Sequence, residues 1–149
     1  MQSGFSALKL HPALQAAIDA LGFVTLTPIQ SRVLKYTLGG HDAIGRAQTG
    51  TGKTAAFLIS VINDLLNHPV GDTRYRGEPR ALVLAPTREL ALQIESDALG
   101  LTQGCGLRTV ALVGGVDYDQ QRKQLDRGFV DILVATPGRL IDFMEQQEI

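Results

Sequence analysis

Lys53 and Thr54 place an ammonium beside a hydroxyl at the end of the stretch Ala47-Gln48-Thr49-Gly50-Thr51-Gly52-Lys53-Thr54. Gly50 and Gly52 let successive backbone N–H groups turn toward one anion, and a helix starting near Gly52 directs its positive end at the same point. Lys53 can then reach the terminal phosphates of a nucleotide, while the Thr54 hydroxyl ligates a Mg²⁺ that bridges them. One position departs from the general pattern, which has Gly where Ala47 stands. The competing reading is a Gly-rich turn that happens to precede a lysine. Context argues against it, because Asp42-Ala43-Ile44-Gly45-Arg46 reads as a short buried strand and 54–66 as a helix.

A second set of residues carries recognition. In Thr27-Pro28-Ile29-Gln30 a Thr precedes Pro at the first helical position, and Gln follows three residues after the Thr, which is a capping box. The Gln30 amide, a donor beside an acceptor, also has the geometry to pair with adenine N6 and N7. Guanine presents O6 in place of the amino group, so such a contact selects ATP over GTP. Both roles are compatible. Three further segments place small, polar or cationic residues after apolar runs: Pro86-Thr87-Arg88, Gly114-Gly115 and Thr136-Pro137-Gly138-Arg139. Taken singly, each has a plain reading as a helix start or a turn.

The elements that position these residues follow from periodicity. Helices are expected over 12–21, 27–38, 54–66, 87–99 and 119–127 and from 137 onward, with strands over 42–46, 81–85, 108–113 and 131–135. The stretch 67–79, rich in Pro, Gly and charge, reads as an exposed, mobile loop with no catalytic role. The helix at 119–127 reads as a polar surface helix. Strands that are apolar throughout and alternate with helices imply an α/β fold, a doubly wound parallel sheet with helices on both faces. Ligands bind such sheets beyond the carboxyl ends of the strands, so the segments after 46, 85 and 135 should share one edge.

Composition sets limits. The chain has 149 residues, 44% hydrophobic and 5% aromatic with no Trp, and a net charge of −1. That is about one domain with an aliphatic core. So few aromatic residues argue against stacking on exposed bases as the main mode of binding, and nucleic acid would have to be held by a few placed groups and helix N-termini. The lone Cys105 excludes an internal disulfide and reads as a small packed residue. His11, His41 and His68 lack metal-ligand spacing and read as solvated. With no secretory pattern and no apolar run of membrane length, the expectation is a soluble, cytoplasmic protein with no membrane partner.

Phe5, Gly22-Phe23, Thr27-Pro28-Ile29-Gln30, the loop 47–54, Pro86-Thr87-Arg88-Glu89-Leu90, Gly114-Gly115 and Thr136-Pro137-Gly138-Arg139 occur in the order and approximate spacing of the DEAD-box RNA helicases. The chain resembles that family over nearly its whole length, and its wording around the phosphate loop is closest to bacterial members. The resemblance implies a RecA-like P-loop domain, with 1–40 as a helical segment bearing the adenine-reading Q motif and 41–149 as a partial first RecA-like domain. It implies ATP and Mg²⁺ as cofactors. Phe5 would stack on adenine, Gln30 would read its edge, and Ala47, Gln48, Thr49, Gly50, Thr51, Gly52, Lys53 and Thr54 would bind the phosphates. Lys53 and Thr54 would serve catalysis, and Thr54 the metal.

On the RNA side, the family holds the sugar-phosphate backbone of one strand. Pro86, Thr87, Arg88, Gly114, Gly115, Thr136, Pro137, Gly138 and Arg139 would do so here, with Glu89 supporting the motif. Partners of the RNA-degradation or ribonucleoprotein kind are implied as well. The family's next block, Asp-Glu-Ala-Asp, and its second RecA-like domain do not occur before Ile149. The chain alone is therefore expected to lack hydrolysis and unwinding, to expose sheet edges, and to self-associate through them. Two rival readings fit the residues as well. Another P-loop enzyme, a kinase or ATPase, would explain the phosphate loop alone. A non-catalytic adenosine-nucleotide or RNA-binding module would need no hydrolysis.

Overall fold

The computed structural model describes residues 4–47, 52–71 and 73–149. It comprises two compact units, Met1–Pro69 with Gly100–Gly106, and Val70–Leu99 with Leu107–Ile149.

The first unit is built on helices. A 3₁₀ turn, Phe5–Leu8, precedes α1 (Pro12–Ala20), α2 (Pro28–Thr37) and α3 (Lys53–Asn67). His11 is the N-cap of α1, its Nδ1 accepting the Ala13 N–H at 3.1 Å, so this histidine has a structural role rather than a merely solvated one. Leu14, Ala17 and Ile18 recur at helical spacing and are buried, as are Leu34 of α2 and Leu58, Ile59 and Ile62 of α3. Polar pairs fix the register of these helices. The His11 N–H donates to Asn63 Oδ1 at 2.8 Å, and Thr37 Oγ1 lies 2.5 Å from Ser60 Oγ.

The expected strand at 42–46 does not form. Residues 41–47 are neither helix nor strand, and Ile44 is fully exposed. A strand is held by a neighbour's ladder of hydrogen bonds rather than by its own apolar content, and this segment has no such neighbour among the described residues.

The second unit contains a three-stranded parallel sheet. Its strands are β1 (Ala81–Leu84), β2 (Thr109–Leu112) and β3 (Ile132–Ala135), and its helices are α5 (Tyr118–Asp126), α6 (Pro137–Glu145) and all but the last two residues of α4 (Arg88–Leu101). The order is β1-β3-β2, with Ala81 and Thr109 both in register with Ile132. Central β3 is buried at every position, as a run of Ile, Leu, Val and Ala should be when both faces are covered. Edge strand β1 leaves Leu82 and Leu84 about half exposed. Val110, Leu112, Leu133 and Ala135 line one face and pack with Leu125 of α5 and Leu140 and Phe143 of α6.

The loop before β1 is more ordered than its composition implies. Arg74 and Arg80 converge on Asp131, at 3.2 and 3.4 Å from Oδ1, and all three side chains are largely buried. Asp131 Oδ2 also accepts the Arg108 N–H at 2.8 Å. One carboxylate thus joins the amino ends of all three strands, so the reading of 67–79 as a mobile loop fails at Arg74.

Candidate functional site

Parallel strands bring their carboxyl ends to one edge. The three segments that follow β1, β2 and β3 are Pro86-Thr87-Arg88, Gly114-Gly115 and Thr136-Pro137-Gly138-Arg139, and they meet there. Thr87 precedes α4, where its Oγ1 accepts the Leu90 N–H at 3.2 Å and its carbonyl the Ala91 N–H at 3.0 Å. The earlier N–H groups of Arg88 and Glu89 belong to the helix's unpaired first turn. Thr136 is the N-cap of α6, and its hydroxyl makes no capping bond. Pro137 has no N–H to lose, so Gly138 and Arg139 carry the open donors of that turn. Two helix N-termini on neighbouring strands, with a free hydroxyl and exposed Arg88, suit the phosphates of an extended strand.

Between them lies the Gly114-Gly115 turn. Gly115 has φ +78°, a conformation that favours glycine, and a Cβ there would sit 2.5 Å from Arg88 Nη1. Arg88 therefore rests on the bare backbone of Gly115. Arg139 differs from the expectation of a free phosphate ligand. Its side chain is 14% exposed, Nη1 donates to the Val116 carbonyl at 2.9 Å and to Gln121 Oε1 at 3.0 Å, and its guanidinium lies 5.9 Å from the Tyr118 ring centre. Gln121, 3% exposed, was missed by reading α5 as a polar surface helix. A signal was present, since Tyr118, Gln121 and Leu125 fall on one helical stripe.

The phosphate-loop residues lie in the first unit. Gln48, Thr49, Gly50 and Thr51 fall outside the described residues. Ala47 accepts a hydrogen bond from Lys53 Nζ at 2.6 Å through its carbonyl. Gly52 is the N-cap of α3 with φ +85° and without a side-chain cap, leaving the N–H groups of Lys53, Thr54 and Ala55 in an open first turn. These groups fit a phosphate and, through Thr54, a Mg²⁺. Among the described residues no cluster of three His, Cys, Asp or Glu side chains could hold a metal by itself.

Gln30 is 5% exposed and forms the anticipated capping box, its Oε1 accepting the Thr27 N–H at 3.0 Å. Its Nε2 donates to the Gly52 carbonyl at 3.3 Å, which joins the adenine-reading candidate to the end of the phosphate loop. Phe5 is 2% exposed, its ring 6.2 Å from that of Phe23, so stacking on a base would require uncovering it. Cys105 is half-buried, and burial pushes its thiol pKa up, as suits a packed rather than a reactive cysteine. No helix among the described residues is long and apolar enough to cross a membrane.

Comparison with known proteins shows the family. The chain is 59% identical to the ATP-dependent RNA helicase RhlB of Pseudomonas aeruginosa (strain UCBPP-PA14) over 145 residues, covering 97% of this chain and 36% of that protein. It is 58% identical to RhlB of Pseudomonas putida over the same shares, and 53% identical to RhlB of Xanthomonas oryzae pv. oryzae, of which it covers 25%. It therefore spans about a third or less of the length of these relatives. The family described as DEAD/DEAH box helicase matches residues 27–149, including every segment gathered at the sheet edge. This chain belongs to the DEAD/DEAH box helicase family.

Proposed function

We propose that this chain is the nucleotide- and RNA-gripping part of a cytoplasmic ATP-dependent RNA helicase that remodels or locally unwinds RNA. The observation that carries the nucleotide half is the Gln30 to Gly52 hydrogen bond, which unites a base reader and a phosphate loop across 22 residues of sequence. Gln30 retains an amide hydrogen and a lone pair with which to test for adenine. Lys53 exchanges its bond to the Ala47 carbonyl for the terminal phosphates, and the open turn of α3 holds them. Thr54 would hold a Mg²⁺ bound with ATP, which would supply charge neutralisation at the phosphates.

RNA lies along the carboxyl edge of β1 and β3. Thr136 Oγ1, the open N–H groups of α4 and α6, and Arg88 bind its backbone, which leaves base sequence largely unread. The relatives are much longer than this chain, and the Asp-Glu-Ala-Asp block is not among its 149 residues. Taken alone, the chain binds without turning over, since phosphoryl transfer needs a positioned water and compensating charge beyond the phosphate loop. RNA-stimulated ATP hydrolysis by the isolated chain in a multiple-turnover assay would contradict that statement.

A thermal melt with Mg²⁺ and ADP or GDP tests the nucleotide reading. At a hundredfold excess over Kd, ligand adds about 2.7 kcal/mol, roughly 5–10 °C for a chain of this size. ADP should raise the midpoint and GDP should not, and Gln30→Ala should abolish the difference. Equal shifts with both nucleotides in the unaltered chain would leave a generic phosphate loop and overturn the adenine-reading role of Gln30.

A further inference from the structure

We propose that Gln121 is a positioning residue for the RNA-backbone site, and that it acts by fixing the Gly114-Gly115 turn against the start of α6. The inference rests on the RNA reading given above and extends it to a residue outside the motifs. Gln121 shares a helical stripe with Leu125, where an aliphatic side chain would pack without needing partners. Burying an amide there is costly unless both of its ends are satisfied. Both are, and by the two elements that build the site. Nε2 donates to the Val113 carbonyl at 3.0 Å, and Oε1 accepts from Arg139 Nη1 at 3.0 Å.

The same Arg139 nitrogen donates to the Val116 carbonyl at 2.9 Å. Val113 and Val116 flank the turn, so Gln121 and Arg139 clamp it from both sides and set the position of Gly115. Gly115 in turn seats Arg88. Arg139 is further held by Asp142, 3.7 Å from its Nε. Its guanidinium is thereby committed to bracing the turn, and exposed Arg88 is the cation presented to RNA.

The test measures binding of dye-labelled single-stranded oligouridylate, together with amide hydrogen exchange, in the unaltered chain and in Gln121→Leu. The variant keeps the bulk of the side chain and loses both hydrogen bonds. RNA binding should weaken about tenfold, and exchange should quicken at 114–117 while 132–135 stay protected. RNA bound as tightly by Gln121→Leu as by the unaltered chain would overturn the proposal. Faster exchange throughout the chain would overturn it too, by reducing the effect to general destabilisation. Should Gln121→Leu fail to fold, Gln121→Glu retains an acceptor for Arg139 and loses only the donor to Val113. Weaker RNA binding by that variant supports the proposal, and unchanged binding overturns it. Failure of the unaltered chain to bind oligouridylate would instead overturn the RNA reading on which the inference depends.

Discussion

The two ends of the parallel sheet use the same kinds of residue in opposite ways. At the amino end, Arg74 and Arg80 are 12–15% exposed on their side chains and closed onto buried Asp131, which also takes a backbone N–H. At the carboxyl end, Arg88 is exposed, Thr136 has an uncapped hydroxyl, and two helices begin with open N–H groups. One end satisfies its charges internally and holds the strands together. The other leaves donors over, and spare donors are what a phosphate backbone needs. An arginine's role therefore depends on whether the fold has already supplied it with a carboxylate.

The largest expected effect falls at the closed end. Asp131→Ala removes the one carboxylate that two largely buried guanidinium groups and the Arg108 N–H share, and should cost about 3–5 kcal/mol, read as a lower denaturation midpoint. A loss near zero would mean that the amino end is solvated and the contrast fails. Next comes Gly115→Ala, strained at φ +78° and forced against Arg88; it should lower stability by roughly 1 kcal/mol while weakening RNA binding disproportionately. Equal RNA affinity in that variant would detach Gly115 from the site.

Arg88→Ala should be nearly silent in a melt, yet weaken RNA binding and reduce the slope of log affinity against log salt by about 1. An unchanged slope would remove Arg88 from the phosphate contacts. The smallest effect concerns Glu95 on α4. Burial raises its pKa above the ordinary carboxylate range, partly offset by a hydrogen bond from the Ala111 backbone. A raised folded pKa gives stability that is present below the unfolded value and lost as pH rises through the folded one. Glu95→Gln should erase that loss, flattening stability across the mildly acidic range; an unaltered pH profile would place Glu95 in solvent.

Sequence made the open end legible because its residues are constrained in kind. Thr before Pro, paired glycines and a cation after an apolar run each have a stated backbone or charge reason, and the parallel topology then gathers them. The closed end was opaque. Arg74 sits in a stretch with no periodicity, and only the fold reveals its pairing with Asp131, 57 residues away. Residues 42–46 misled in the other direction, since apolar content cannot report whether a ladder partner exists. Gln121 escaped notice because a glutamine on a polar helix looks solvated until its stripe is traced. Gln30 was read correctly as a cap, whereas its bond to Gly52 needed three-dimensional proximity.

The most direct test of the contrast between the closed and open ends of the sheet is amide hydrogen exchange on the unaltered chain with and without single-stranded RNA. RNA should add protection at 87–89, 114–117 and 138–140, and none at 73–80 or 130–131. Protection confined to the amino end, or RNA binding that leaves the carboxyl edge exchanging as before, would contradict that contrast.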